Sequence, residues 1–191
     1  MFRTPAHTAL RSLWAVLTLL VLLPGVAAAQ DVEIVEGPDG IHLQVDGEDF
    51  MVLGQNWDYF PRGTTNPAYN FWGQSDDFVR SALDREMSLM RTMGINAIRV
   101  YQGIPPRWVE WIYDNYGIYS IVNNTLGRYG LDYQGRYIPN TDYSDPAFRA
   151  QLISQVENMV RELSGTRGLL MWLLGNENNY GLSWSSFEIE A

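Results

Sequence analysis

The chain has 191 residues and sets 13 arginines, with no lysine, against 22 Asp and Glu, a formal charge of −9. Such an acidic surface repels nucleic acid and anionic lipid and suits a neutral ligand. Cysteine is absent and the only histidines are His7 and His42, which excludes disulfide scaffolds, thiolate and multi-histidine metal sites, and leaves carboxylates as the reactive groups.

The first segment, MFRTPAHTALRSLWAVLTLLVLLPGVAAAQ, carries Arg3 and Arg11, an apolar core from Leu13 to Leu23, a Pro24-Gly25 break and the small residues Ala27-Ala28-Ala29. It reads as a secretory signal peptide cleaved after Ala29, because the apolar run is shorter than the roughly 20 residues that cross a bilayer. The expected location is therefore secreted, periplasmic or extracellular, with no membrane association once residues 1–29 are removed. About 160 residues remain, enough for one domain with a substantial core.

Residues 30–49 read as an N-terminal β-hairpin. Val32–Val35 and Ile41–Val45 alternate across a Pro38-Asp39-Gly40 turn, and His42 is an ordinary strand residue within it. A second turn, Asp46-Gly47-Glu48-Asp49, leads into the apolar run Phe50–Gly54, the first strand of a unit spanning residues 50–191.

Ser75 is placed to cap a helix with Asp76 and Asp77 in its first turn. Val79, Leu83, Met87 and Met90 follow at helical spacing and Gly94 ends the run, so the methionines face a core. A strand Asn96–Tyr101 comes next, then a short helix opened by Pro106 that ends near Gly117 and carries Trp108 and Trp111 as structural residues. IYSIVNN is a third strand, and TLGRYGLDYQGRYIPNTDYS reads as a long loop. Asp145 and Pro146 open another helix with Phe148, Leu152, Val156, Met159, Val160 and Leu163 as its apolar stripe. GLLMWLLGNENN is the fourth strand.

Near-continuous apolar strands alternating with helices predict a parallel sheet covered by helices. An open doubly wound sheet would carry a glycine-rich phosphate turn after its first strand, but GQNWDYFPRG follows instead and no phosphate loop or nucleophile elbow occurs. The expected fold is thus α/β, a (β/α)8 TIM barrel of which the chain carries four β/α units preceded by the hairpin. A phosphate- or nucleotide-dependent enzyme is disfavoured on the same grounds, and no cofactor or metal is implied.

In a barrel the C-terminal strand ends point into the active site. Four polar clusters fall there: Gln55-Asn56-Trp57, Arg99 with Tyr101, Asn123-Asn124, and Asn176-Glu177. A carboxylate, amides, an arginine and aromatic rings suit a sugar, whose hydroxyls need donors and acceptors while its C–H face stacks on rings. Trp57, Asn56, Tyr101, Asn123, Asn178 and Trp184 are the expected substrate-binding residues, with Tyr59 and Trp72 as further candidate platforms. Asn123-Asn124-Thr125 also fits a glycosylation sequon, whereas Asp142 and Asp145 read as loop and cap residues.

GINAIRVY, YGIYSIVNN and WLLGNEN, in this order, resemble the first half of the catalytic barrel of the clan A glycoside hydrolases, especially the family 2-like and family 5-like members. The resemblance spans roughly residues 41–181. It implies Glu177 as general acid/base, Asn176 as partner of the sugar 2-hydroxyl and Arg99 as the arginine supporting the nucleophile. It also implies that the hairpin closes the barrel bottom.

A full barrel takes about 250 residues, and the nucleophilic glutamate of such enzymes lies on the seventh strand, which has no counterpart here. The expectation is a secreted retaining glycosidase acting on a β-linked oligo- or polysaccharide, represented by its N-terminal half and inactive as that half alone. The rival expectation is a non-catalytic carbohydrate-binding or cell-surface module derived from such a barrel.

Overall fold

A computed structural model describes residues 28–63, 69–101 and 103–176. Most of the leader, and the site candidates Glu177, Asn178 and Trp184, lie outside the described residues.

Strands β1 (Val32–Gly37) and β2 (Gly40–Val45) pair antiparallel from Val32 opposite Val45 to Gly37 opposite Gly40. β3 (Glu48–Asp49) returns along β2 through Asp46-Gly47, whose φ of 52° and 81° make the type I′ turn that matches the twist of paired strands. The hairpin is thereby extended to a three-stranded sheet. His42 pairs across it with Asp49, its Nδ1 3.5 Å from the carboxylate.

The first strand of the parallel sheet, β4, is Gly54–Asn56 rather than the apolar run Phe50–Gly54 expected from the sequence. Asn96 is the reason. Its Nδ2 donates to the Met51 carbonyl (2.8 Å), its Oδ1 accepts from the Leu53 N–H (2.8 Å), and its own N–H donates to the Leu53 carbonyl (3.0 Å). A side-chain amide bonded to the backbone in this way substitutes for ladder bonds, so Met51–Leu53 stays outside the strand.

Helix α1 (Asp76–Thr92) begins where Ser75 Oγ accepts from the Phe78 N–H, with two acids at its positive end. β5 (Ala97–Tyr101) follows, then α2 (Pro106–Tyr116), which Gly117 ends in the left-handed region at φ 63°. β6 (Tyr119–Asn124) is buried along its whole length. The stretch expected to be loop contains a small hairpin, β7 (Leu131–Tyr133) with β8 (Arg136–Ile138), turning at Gln134-Gly135 with both φ positive. It docks on α3 (Pro146–Leu163), where Tyr133 meets Phe148 edge-on at 5.1 Å and Gln151 Nε2 donates to the Asp132 carbonyl (2.6 Å). Asp145 caps α3 by accepting from the Ala147 N–H (2.7 Å), and β9 (Leu169–Leu174) completes the series.

β4, β5, β6 and β9 form one parallel sheet in that order. Each strand pairs with the next in sequence, so right-handed crossovers place α1, α2 and α3 on the same face. This is the arrangement of consecutive units in a (β/α)8 barrel, whereas an open doubly wound sheet reverses its order and carries helices on both faces.

Alternation along the strands divides the core. Ile98, Val100 and Val122 face the helices and pack on Val79, Leu83 and Met87 of α1, Trp108, Val109 and Ile112 of α2, and Met159 and Leu163 of α3. Ala97, Tyr119, Ile121 and Leu170 turn to the concave face and pack on Val45 of β2, with Leu43 and Phe50 beside them. These residues lie towards the N-terminal ends of their strands, so the three-stranded sheet closes that end. Burial there, with the Tyr113 hydroxyl alongside, pushes the Tyr119 phenol well above the usual tyrosine range.

Candidate active site

With one end of the sheet plugged, the concave face at the C-terminal end carries the polar residues. The register sets Asn56 beside Arg99 and Tyr101 beside Asn123, and β-strand alternation puts all four on the same face. Asn56 is exposed there, and Arg99 lies over the Tyr101 ring, 5.6 Å from its centroid.

Arg99 is the hub. Its Nε donates to Asn123 Oδ1 (2.8 Å), while its Nη2 donates both to the same oxygen and to Asn176 Oδ1. Asn123 is fully buried, and its Nδ2 donates to the carbonyls of Asn124 (2.9 Å) and Gly175 (3.1 Å), which orients the amide oxygen towards the guanidinium. Asn123 therefore holds Arg99 rather than presenting a free amide to a ligand. The Asn123-Asn124-Thr125 sequon is closed to modification in the folded chain for the same reason. Among the described residues no carboxylate pairs with Arg99: the half-buried cation meets two amide oxygens and a ring.

Asn176 follows β9 at Gly175, whose N–H donates to the Asn124 carbonyl (2.7 Å) and whose φ of 114° turns the chain out of the strand. Its side chain is 9% exposed. Besides accepting from Arg99, it donates through Nδ2 to the Tyr129 hydroxyl. Tyr129 lies in the β6–α3 connection, and nothing in the sequence pattern around it signals contact with the fourth strand.

Trp57, expected among the substrate-binding residues, does not point to this face. Its N–H continues the β4–β5 ladder to the Arg99 carbonyl (2.9 Å), so alternation sends the ring to the helix side. There it is 6% exposed and packs against Phe71 at 5.7 Å and Trp72 at 5.8 Å. Its indole N–H has no partner among the described residues. Trp57 and Tyr101 both line a cavity of about 320 Å³, with Asp58, Tyr69 and Asn70. Tyr59 and Trp72 are likewise partly buried in this aromatic cluster. Trp108 is 3% exposed and packs edge-on against Trp111, a structural pair as its helical setting predicts.

Asp142 accepts from the Ser144 N–H (2.8 Å) and hydroxyl (2.6 Å), which hold its carboxyl below the usual range, and it stands apart from the Arg99 cluster in the β6–α3 connection. Among the described residues no group of three His, Asp or Glu side chains is placed to hold a metal ion.

Comparison with known proteins gives a match to the family model described as glycosyl hydrolases family 2, TIM barrel domain, over residues 73–188. Among curated proteins, the chain is 28% identical over 151 residues to a β-galactosidase of Photobacterium profundum and 26% identical over 151 residues to one of Vibrio vulnificus. In both cases the match covers 78% of this chain and 13% of the relative, so the chain spans a small part of their length. Among solved structures, a β-glucuronidase of Parabacteroides merdae aligns over 78% of this chain and 16% of its own at 20% identity, with a TM-score of 0.47.

Proposed function

The chain belongs to the family 2 glycosyl hydrolases, as part of their TIM barrel domain, and from that premise we propose that it is the acid/base-bearing part of an exported retaining glycosidase. The substrate class is a β-linked glycan. The observation that carries the reading is the Arg99–Asn176 hydrogen bond, which ties the chain immediately before Glu177 to the neighbouring strands at the open end of the sheet. The names of the relatives, β-galactosidases, favour a β-galactoside as the first substrate to try.

In such a reaction two carboxyl groups about 5 to 5.5 Å apart work in sequence. Glu177, protonated, gives its proton to the glycosidic oxygen while a second carboxylate attacks the anomeric carbon and the aglycone departs. Glu177, now ionised, takes a proton from the water that cleaves the glycosyl ester, and both groups return to their starting states. The second carboxylate belongs to a barrel strand other than β4, β5, β6 and β9. Asn176 contacts the hydroxyl next to the reacting carbon, where a hydrogen bond strengthens as positive charge develops on the sugar. Arg99 favours the ionised form of a nucleophile brought near it. Export rests on the A-x-A site behind the apolar run of the leader.

The test is Glu177→Gln in the intact protein. Glutamine keeps the shape but has no proton to give, so kcat/KM on an alkyl or unactivated aryl β-glycoside is expected to fall by about 10²–10⁴. A 2,4-dinitrophenyl glycoside, whose leaving group needs no protonation, should retain its first step. Unchanged turnover of the unactivated substrate would show that another residue is the acid. Saturable glycan binding by the intact wild-type protein with no turnover would select the non-catalytic module instead.

A further inference from the structure

We propose that Tyr129 is a positioning residue for Asn176, and that the β6–α3 connection is the device that holds it in place. This inference rests on the reading of Asn176 as the sugar 2-hydroxyl partner.

An asparagine amide has two ends of similar shape and opposite hydrogen-bonding character, and its terminal torsion is soft. A residue that must meet a particular hydroxyl therefore needs both ends defined. Among the described residues the two ends of Asn176 meet groups of different kind: the Arg99 guanidinium, which can only donate, meets Oδ1, and the Tyr129 hydroxyl oxygen accepts from Nδ2. Reversing the amide would set its NH₂ group against the guanidinium, donor against donor. Arg99 decides the identity of the oxygen end, and Tyr129 gives the nitrogen end its acceptor and fixes the plane of the group.

The Tyr129 ring is half exposed, and it is the backbone of its loop that is tied down. Its carbonyl accepts from the Tyr137 hydroxyl (2.7 Å), and Arg128 stacks 5.8 Å from its ring centroid. Gly130, at φ 101°, lets the Tyr137 ring close over the turn: a Cβ there would lie 2.5 Å from the Tyr137 hydroxyl oxygen. The start of the connection is fixed by the Leu126 N–H, which donates to Asn124 Oδ1 (2.8 Å), and its later part by the Thr141 hydroxyl, which donates to the Gly127 carbonyl (2.7 Å). The Tyr143 hydroxyl donates to the Leu126 carbonyl (2.9 Å). The β7–β8 hairpin that presents Tyr137 is docked on α3, so a chain of contacts runs from the outer helix layer to the amide of Asn176.

The experiment compares the aryl β-glycoside that the intact protein cleaves best with its 2-deoxy analogue, in wild type, Tyr129→Phe, Asn176→Ala and the double variant. The ratio of the two kcat/KM values is independent of the fraction of enzyme that is folded, so partial unfolding of a variant does not blur the result. Tyr129→Phe is expected to lower the ratio about three- to tenfold, the worth of one neutral hydrogen bond. It should leave the 2-deoxy substrate little changed and add nothing in the Asn176→Ala background. If Asn176→Ala lowers the ratio and Tyr129→Phe does not, Tyr129 does not position the amide and the inference falls. If Asn176→Ala itself leaves the ratio intact, or the intact protein cleaves no glycoside, the reading of Asn176 fails and takes the inference with it.

Discussion

Arg99 illustrates how one side chain carries the order of the whole site. Three of its hydrogen bonds go to amide oxygens on two other segments, one of which, Asn123, is fully buried. Arg99→Ala would leave the Asn123 oxygen buried and without its donor, at a cost of about 1–3 kcal/mol. We expect a lower Tm together with a loss of kcat/KM on the aryl β-glycoside larger than that of Tyr129→Phe, measurable by thermal melting and steady-state kinetics; an unchanged Tm would show that water replaces the guanidinium. At this scale the sequence was informative about residue type and position along the chain, because the C-terminal strand ends can be counted from the apolar runs. It was silent on partners. Trp57 reads as a platform beside Asn56, yet adjacent strand residues point to opposite faces, and the shift of β4 to Gly54–Asn56 decides which face each takes. Tyr129 has no period or motif to mark it, since loop residues meet a site through the path of the loop.

Among the elements, the helices were the most legible: Ser75, Asp145, Pro146 and Gly117 mark their ends through capping chemistry that is local in sequence. The first barrel strand and the β7–β8 hairpin were not. The former was displaced by Asn96, more than forty residues along the chain from its backbone partners. The latter consists of two three-residue strands whose stability comes from docking on α3. The entry to β9 gives a further check on how tightly the elements pack. Gly168 has φ 79°, and a Cβ on it would lie 2.3 Å from the Tyr113 Cβ of α2, while its N–H donates to the Gln30 side chain (2.7 Å). Gly168→Ala combines a strained backbone with overpacking and should destabilise by about 1–3 kcal/mol or more. Denaturant unfolding would measure it, and a loss below about 0.5 kcal/mol would mean that the strand and helix separate easily.

For the molecule as a whole, the sheet order β4-β5-β6-β9, the helices on one face and the three-stranded plug at the strands' N-terminal ends together leave the concave C-terminal end as the open, polar end of the sheet. The leader bears on the same molecule before it folds. If the proposed export is right, protein recovered from the periplasm or culture medium begins at Gln30, which intact-mass measurement would read directly. A mass that includes residues 1–29 would remove the secretory assignment.

Amphipathic period, capping residues and the run of strand ends are short-range properties, and they sufficed to specify a parallel α/β chain with Arg99, Asn123 and Asn176 at the ends of successive strands. The absence of cysteine and the scarcity of histidine narrowed the chemistry before any fold was considered. Which side chains meet was settled only when the sheet closed its register. A hydrogen bond such as Arg99 to Asn176 spans 77 residues, and its existence depends on strand order, on the one-residue shift within β6 and β9, and on the turn at Gly175. Strand order and the register shift leave no trace in local composition, because each is a balance of packing and backbone hydrogen bonding between segments distant in the chain.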